Sequence, residues 1–185
     1  MKYQLVVFDW DGTLLDSAGA IVRAIQSACR DLALPVPEDA RARHVIGLGL
    51  VDAMRHAVPD LTPERYQDMV DRYRFHYLSG DHALTLFDGV PEMLKSLRDA
   101  GHMLAVATGK SRIGLERALD HSGLRPLFQG SRCADECHSK PHPQMLEELM
   151  HEFGVSNGAT VMIGDTSHDL LMANNAGRDG LAVTY

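Results

Sequence analysis

The sequence predicts an α/β fold: an open, doubly wound, mainly parallel sheet carrying an all-helical insertion. Two features carry that expectation. Short apolar runs that stop abruptly at polar residues recur along the chain, with amphipathic stretches between the later ones. Between the first run and the second, by contrast, helical periodicity alone fills residues 17–84.

The first run, Leu5-Val6-Val7-Phe8, ends at Asp9 and reads as a strand buried on both faces. Ala18, Ile21, Val22, Ile25, Ala28, Cys29 and Leu32 then share one face of a helix. A second long helical stretch covers residues 63–78, with Tyr66, Met69, Val70, Tyr73 and Tyr77 along a similar stripe. Residues 91–100 begin with Pro91 at a first-turn position and close at Gly101, as a helix does. The second strand is residues 103–108. Residues 111–122 follow as a helix, with Ser111 as N-cap and Gly123 as its end. A weaker run at 127–129 is the expected third strand. Helices at 143–153 and 168–176 end at Gly154 and Gly177, and strands at 160–163 and 181–184 complete a Rossmann-like sheet. The expected division is a core of residues 1–16 and 85–185 with a helical cap of residues 17–84.

The size and charge of the chain narrow its function. Its 185 residues suit one domain with a modest insertion, and 45% hydrophobic with 23% charged residues is globular composition. Eighteen basic residues against twenty-five acidic ones give a net charge of −7, without any Lys/Arg run. That excludes tracking a nucleic-acid backbone or an anionic membrane surface. The longest apolar run, residues 103–107, is far short of a membrane span. Acids at Asp9 and Asp11 leave no room for a signal-peptide apolar region, and three cysteines, Cys29, Cys133 and Cys137, suit a reducing compartment. A cytoplasmic location is the expectation.

Ligands of such a sheet bind beyond the carboxyl ends of its strands. The first strand delivers Asp9-Trp10-Asp11-Gly12-Thr13 and the second Thr108-Gly109-Lys110. Lys140 precedes the 143–153 helix, and the fourth strand delivers Gly164-Asp165-Thr166-Ser167-His168-Asp169. Four carboxylates at one edge repel one another unless a cation sits between them, and hard oxygen donors favour Mg²⁺ over Zn²⁺.

The run Asp9-Trp10-Asp11-Gly12-Thr13-Leu14-Leu15-Asp16-Ser17 resembles the first motif of the haloacid dehalogenase-like hydrolases. Thr108, Lys140 and Gly164-Asp165…Asp169 resemble the second, third and fourth, in order, and the helical insertion resembles that family's small cap. The pattern is most similar to the phosphoglycolate phosphatase branch, over nearly the whole chain. The resemblance implies a Mg²⁺-dependent phosphomonoester hydrolase acting on a small phosphorylated metabolite. Asp9 is implied as nucleophile and Asp11 as general acid and base. Thr108, Gly109 and Lys140 are implied as phosphoryl-binding residues, and Gly12 and Thr13 as a tight turn around the phosphate. Mg²⁺ is implied to be held by Asp9, Asp165 and the backbone carbonyl of Asp11, with Asp169 as a further ligand or as the group that orients one.

Sequence logic also weighs against the rivals. A receiver domain places its phosphorylated Asp on a mid-chain strand, behind a separate acidic pair, and lacks the insertion. A dehalogenase proper does not need Asp11 as acid. A phosphonate hydrolase needs a cap lysine, and residues 17–84 contain none. A sugar-phosphate mutase keeps all four motifs and remains the alternative. A non-enzymatic phosphate-binding protein is disfavoured because every chemical position is filled.

The remaining conspicuous residues read as follows. Ile46-Gly47-Leu48-Gly49-Leu50 lacks the strand and acid that would frame a dinucleotide loop, and is expected to be a cap turn facing the site. Arg43, His44 and Gly47 are its candidate substrate contacts. Cys133, Cys137 and His138 lack a fourth metal ligand. His56, His76, His82, His121 and His151 scatter over expected helices and turns as solvated residues, while His142 and His168 lie near the motifs. Trp10 is expected to pack beside the sheet. The chain ends at Val183-Thr184-Tyr185, on the last expected strand, where members of the family usually continue with a further helix. Exposed apolar surface there, with lowered stability or a monomer tending to a weak homodimer, is the expectation.

Overall fold

The computed structural model describes residues 2–80, 83–155 and 158–185, so His82 lies outside the described residues. In chain order its helices are α1 (Ala18–Asp31), α2 (Asp39–His44), α3 (Leu50–Ala57), α4 (Tyr66–Gly80), α5 (Val90–Asp99), α6 (Arg112–Ser122), α7 (Gln144–Phe153) and α8 (Ser167–Asn175). The strands are β1 (Leu5–Phe8), β2 (Met103–Thr108), β3 (Gly130–Cys133), β4 (Thr160–Gly164) and β5 (Asp179–Ala182). They form one parallel sheet in the order β3-β2-β1-β4-β5. Phe8 lies opposite both Val106 and Ile163, so β2 runs two residues and β4 one residue past the end of β1. The chain runs to β2 on one side of β1 and to β4 on the other, which leaves a crevice at the carboxyl edge.

Strand alternation divides the apolar residues between two layers. Val6, Phe8, Leu104 and Val106 pack with Leu94 of α5 and Leu115 and Leu119 of α6. Leu5, Val7, Ala105 and Ala107 pack with Met145, Leu146 and Leu149 of α7 and Met172 of α8. Each fully buried Leu or Met there contributes about 1.5–3 kcal/mol relative to exposure. Both faces are thus covered, which is why the central strands are apolar except for the buried Thr108 and Thr160 at their ends. Trp10 packs in the first layer, edge-on to Phe128 at 6.4 Å.

The segment between β1 and α5 has an apolar cluster of its own. Ile21, Val22, Ile25, Ala28 and Cys29 of α1 pack with Ala53, Met54 and Ala57 of α3 and Met69 of α4. Tyr66, Tyr73 and Tyr77 flank them. The chain leaves and re-enters the sheet region side by side. Asp16 N–H donates to Thr85 O at 3.0 Å, and Phe87 N–H donates to Leu14 O at 3.0 Å. No helix among the described residues is long and apolar enough to cross a membrane.

Three elements differ from expectation. Residues 125–127 form a 3₁₀ turn (Arg125–Leu127), and the third strand begins at Gly130. Leu127 and Phe128 plug the core beneath α6, while the strand itself is polar because it lies at a sheet edge. A side chain at Gly130 would place Cβ 2.8 Å from the Phe153 ring, so no apolar residue fits there. β5 starts at Asp179, two residues early, and is exposed throughout; Val183 N–H still donates to Gly164 O at 3.0 Å. Residues 63–65 are a separate 3₁₀ turn before α4, and the short helices α2 and α3 occupy a stretch without clear periodicity. Leu171 and Leu181 are exposed near the β5 edge. Tyr185 stacks on Phe87 at 3.7 Å and donates its hydroxyl to Thr13 O at 2.8 Å.

Candidate active site

The strand ends and the segments that follow them bring the buried Asp9, Asp169 and Lys140 together with the half-buried Asp165. Asp9 N–H donates to Ile163 O at 2.9 Å, which carries the ladder one residue past β1 and fixes the carboxylate at the edge. Gly12 turns the chain back with φ +81°, and a Cβ there would stand 2.3 Å from Asp165 Oδ2. Only glycine supplies both the left-handed conformation and that clearance. The Thr13 hydroxyl donates to Asp165 Oδ1 at 2.7 Å. Asp169 sits in the first turn of α8, where its Oδ2 accepts from Thr166 N–H at 3.1 Å and from the Thr166 hydroxyl at 2.7 Å. Its Oδ1 accepts from Lys140 Nζ at 2.7 Å, and the same ammonium lies 2.8 Å from Asp9 Oδ1. The side chains of Lys140, Asp9 and Asp169 are 0% exposed.

Electrostatics decide what this cluster lacks. Burial pushes the Asp9 carboxyl well above the usual carboxylate range; Lys140 opposes the rise, and Asp169 and Asp11 add to it. Burial also raises Asp165, against the hydrogen bond from Thr13. Burial pulls the Lys140 ammonium down, but Asp169 and Asp9 outweigh it and hold the group up at about 12. Counting Asp9, Asp165 and Asp169 against Lys140 leaves two negative charges, which one divalent cation balances. Carboxylate oxygens of Asp9, Asp165 and Asp169 lie within 4.8 Å of one another. Asp9 Oδ2 is buried and has no hydrogen-bonding partner among the described residues. An orphaned buried oxygen among hard donors fits Mg²⁺.

Asp11 faces a different set of groups. Its Oδ1 accepts from the Ser17 hydroxyl at 2.7 Å, and its Oδ2 lies 3.0 Å from Lys110 Nζ. Lys110 is fixed at the end of β2 by its own N–H, which donates to Thr108 Oγ1 at 3.2 Å. The Lys110 ammonium also donates to the Tyr77 hydroxyl of α4 at 3.1 Å. From the helical segment Gly47, with φ +89°, reaches the acids: a Cβ there would stand 3.6 Å from Asp9 Oδ2 and 3.3 Å from Thr166 Oγ1. Gly49 N–H donates to Ser139 Oγ at 2.8 Å, and His168 Nε2 donates to His44 O at 2.7 Å. Residues 44–49 therefore lie directly over the strand edge.

A family model described as haloacid dehalogenase-like hydrolase matches residues 6–183, nearly the whole chain. The chain belongs to that family. It is similar to a protein named "Probable phosphatase IndB" from Dickeya dadantii, 39% identical over 98% of this chain and 81% of the relative. Pyrophosphatase PpaX of Halalkalibacterium halodurans is 32% identical over 100% of this chain and 85% of its own. Among solved structures, a predicted phosphoglycolate phosphatase from Haemophilus somnus superposes with a TM-score of 0.88 at 27% identity, covering 100% of this chain and 87% of the other.

In this hydrolase the motif residues converge, but the helical candidates do not all follow. Gly47 reaches the acids, whereas Arg43 and His44 are exposed on α2. His44 contributes its backbone carbonyl and a ring 5.0 Å from that of His168. Thr108 is fully buried, and Gly109 lies against the Gly47 and Leu48 carbonyls. Cys133 is packed in the core with its thiol pushed up to about 12 by burial, and burial holds Cys137 at about 11. Sequence reasoning assigned no role to Lys110, Ser17, Tyr77, Thr166 or Ser139. Lys110 stands directly after Thr108-Gly109, a position that could have drawn notice. Tyr77 carries no such signal, because its place depends on how α4 lies against the sheet edge.

Proposed function

We propose that this hydrolase is a Mg²⁺-dependent phosphomonoester phosphatase working in the cytoplasm on a small phosphorylated metabolite, with 2-phosphoglycolate the leading candidate. Residues 17–84 act as a cap over a core of residues 1–16 and 85–185. The observation that carries the reading is the buried Asp9 carboxylate, paired through Lys140 with Asp169, with one orphaned oxygen beneath Gly47.

Mg²⁺ bound by Asp9, Asp165, Asp169 and the Asp11 carbonyl would offset charge on the transferring phosphoryl group. Asp9 attacks phosphorus; an Asp9 oxygen–phosphorus bond forms as the bond to the leaving oxygen breaks. Asp11 gives its proton to that oxygen and later takes one from the water that attacks phosphorus and releases Asp9. Lys140 favours the ionised form of Asp9 against the effect of burial and, with the Thr108 hydroxyl and Gly109, binds phosphoryl oxygens. Gly12 and Thr13 wrap the turn beneath them and hold Asp165. The cap segment 44–49 excludes bulk water from the first step, and its small reach restricts the substrate to a small molecule.

The test is phosphate release from 2-phosphoglycolate, sugar phosphates, a nucleoside monophosphate, an aryl phosphate and pyrophosphate, with Mg²⁺ and with chelator. Mg²⁺-dependent release that Asp9→Asn abolishes is expected. Release that persists in chelator, or no release from any compound by folded protein, would sink the reading.

A further inference from the structure

Lys110 takes no part in binding the phosphoryl group in the reading above, yet its side chain is only 12% exposed and is paired with an Asp11 side chain 11% exposed. A cation so far out of water is costly unless anions accompany it. Its partners come from opposite sides of the seam: Asp11 at 3.0 Å from the strand edge and the Tyr77 hydroxyl at 3.1 Å from α4. The ammonium also stands 4.9 Å from the Tyr77 ring centroid, and Tyr77 is stacked on Tyr73 at 5.9 Å. A protonated lysine carries three N–H donors. These two contacts occupy two, and no partner for the third is found among the described residues.

Asp11 is the group assigned to the leaving oxygen, so whatever that oxygen carries emerges beside Asp11. Ser17 flanks Asp11 on one carboxylate oxygen and Lys110 on the other. The Asp9, Asp165 and Asp169 carboxylates make the neighbourhood hostile to a further anion except where a cation meets it. Lys110 is the cation that contacts Asp11. A neutral leaving group gains nothing from it, whereas a carboxylate or phosphate gains a charge-assisted hydrogen bond in a largely desolvated place.

We propose that Lys110, oriented by Tyr77, is a specificity-determining residue that selects phosphoesters whose leaving group carries a second anion close to the scissile oxygen. This deepens the phosphatase reading and rests on it for the side on which the leaving group lies. Tyr77 is a positioning residue, acting through Lys110. The second anion is a carboxylate or a phosphate, and the two sources separate in the test.

2-Phosphoglycolate, inorganic pyrophosphate and 2-hydroxyethyl phosphate share a phosphoryl group and small size, but the last has no second anion. Their binding to Asp9→Asn with Mg²⁺ is measured by calorimetry, alone and combined with Lys110→Gln, Lys110→Arg or Tyr77→Phe. At least one anionic compound should bind about tenfold more tightly than 2-hydroxyethyl phosphate, equivalent to about 1.4 kcal/mol. Preference for 2-phosphoglycolate alone identifies a carboxylate, and preference for pyrophosphate alone a phosphate. Lys110→Gln should erase the ratio, Lys110→Arg should restore part of it, and Tyr77→Phe should reduce it. A purely structural lysine would instead weaken all three compounds alike. Equal affinities for the three, or a ratio that survives Lys110→Gln in folded protein, overturns the proposal. Should Lys110→Gln not fold, an undiminished ratio in Tyr77→Phe overturns the orienting role, and equal affinities in Asp9→Asn still overturn the selection. Turnover of the same compounds by the unaltered enzyme judges the phosphatase reading separately: no release from any of them refutes that reading, while the binding ratio still judges Lys110.

Discussion

Gly109→Ala places one methyl group in the seam between the strand edge and the helical segment. Its Cβ would stand 2.3 Å from Leu48 O and 2.7 Å from Gly47 O. Ordinary contact starts at 3.4 Å, so the 47–48 peptide must retreat by 3.4 − 2.3 = 1.1 Å. Both obstacles are backbone atoms, and no rotamer change relieves them. Gly109 does not have a positive φ, so its own backbone adds no penalty for alanine, and the overpacked seam should cost about 1–3 kcal/mol of stability. The retreat lifts Gly47 away from Asp9 Oδ2. A positional error of about 1 Å at a reacting centre costs on the order of 10²-fold in rate. We therefore expect kcat/KM to fall about 100-fold with the melting temperature lowered by only about 2–4 °C per kcal/mol of that cost, read by phosphate release and thermal unfolding on the same preparation. Activity within about twofold of the parent would refute the seam as part of the working site. A large drop in melting temperature would show instead that Gly109 serves the core.

Lys140→Gln leaves two buried carboxylates without their cation and should cost roughly 3–5 kcal/mol in urea unfolding; a loss below about 1 kcal/mol would contradict the pairing. Gly12→Ala forces a side chain to φ +81° and into Asp165. It should cost about 1–2 kcal/mol from backbone conformation alone and blunt the rise in melting temperature that Mg²⁺ produces; an unchanged Mg²⁺ shift would argue against Asp165 as a ligand. In chelator, burial holds the Asp9 and Asp165 carboxyls above their ordinary value of 3.8, so the folded state keeps protons that the unfolded state has released. Both groups therefore withdraw stability as pH rises from 3.8 through their raised values. Asparagine at position 9 cannot ionise, so the stability of Asp9→Asn relative to the parent should climb across that window and flatten with Mg²⁺. A difference independent of pH in chelator would contradict the burial argument.

The readable parts of this chain are those where one local rule decides the outcome. Leu5-Val6-Val7-Phe8 is apolar throughout because both faces of β1 are covered, and such a run has no other good reading. The acids were legible for a related reason: they follow the central strands directly, and parallel topology sends those ends to one edge. β3 was misplaced because an edge strand needs no apolar run. Its Gly130-Ser131-Arg132-Cys133 is polar, with Arg132 paired to Glu148 at 2.6 Å, while the apolar Leu127 belongs to the turn before it. The helical face of the site was least legible. That Gly47 rather than Arg43 meets Asp9, and that Tyr77 meets Lys110, depends on how the α1–α4 cluster lies on the sheet edge. No periodicity within either segment encodes that placement.

Whether Asp9 becomes phosphorylated is the question on which the chemistry turns. Enzyme mixed with excess 2-phosphoglycolate, or with the best substrate of the panel, and Mg²⁺ should be quenched in acid during turnover, digested and mapped by mass spectrometry. Phosphate on Asp9, absent when substrate is omitted and absent in Asp9→Asn, is the expected result. Steady phosphate release with Asp9 never modified, or with the phosphoryl group on another residue, would contradict the nucleophile assignment.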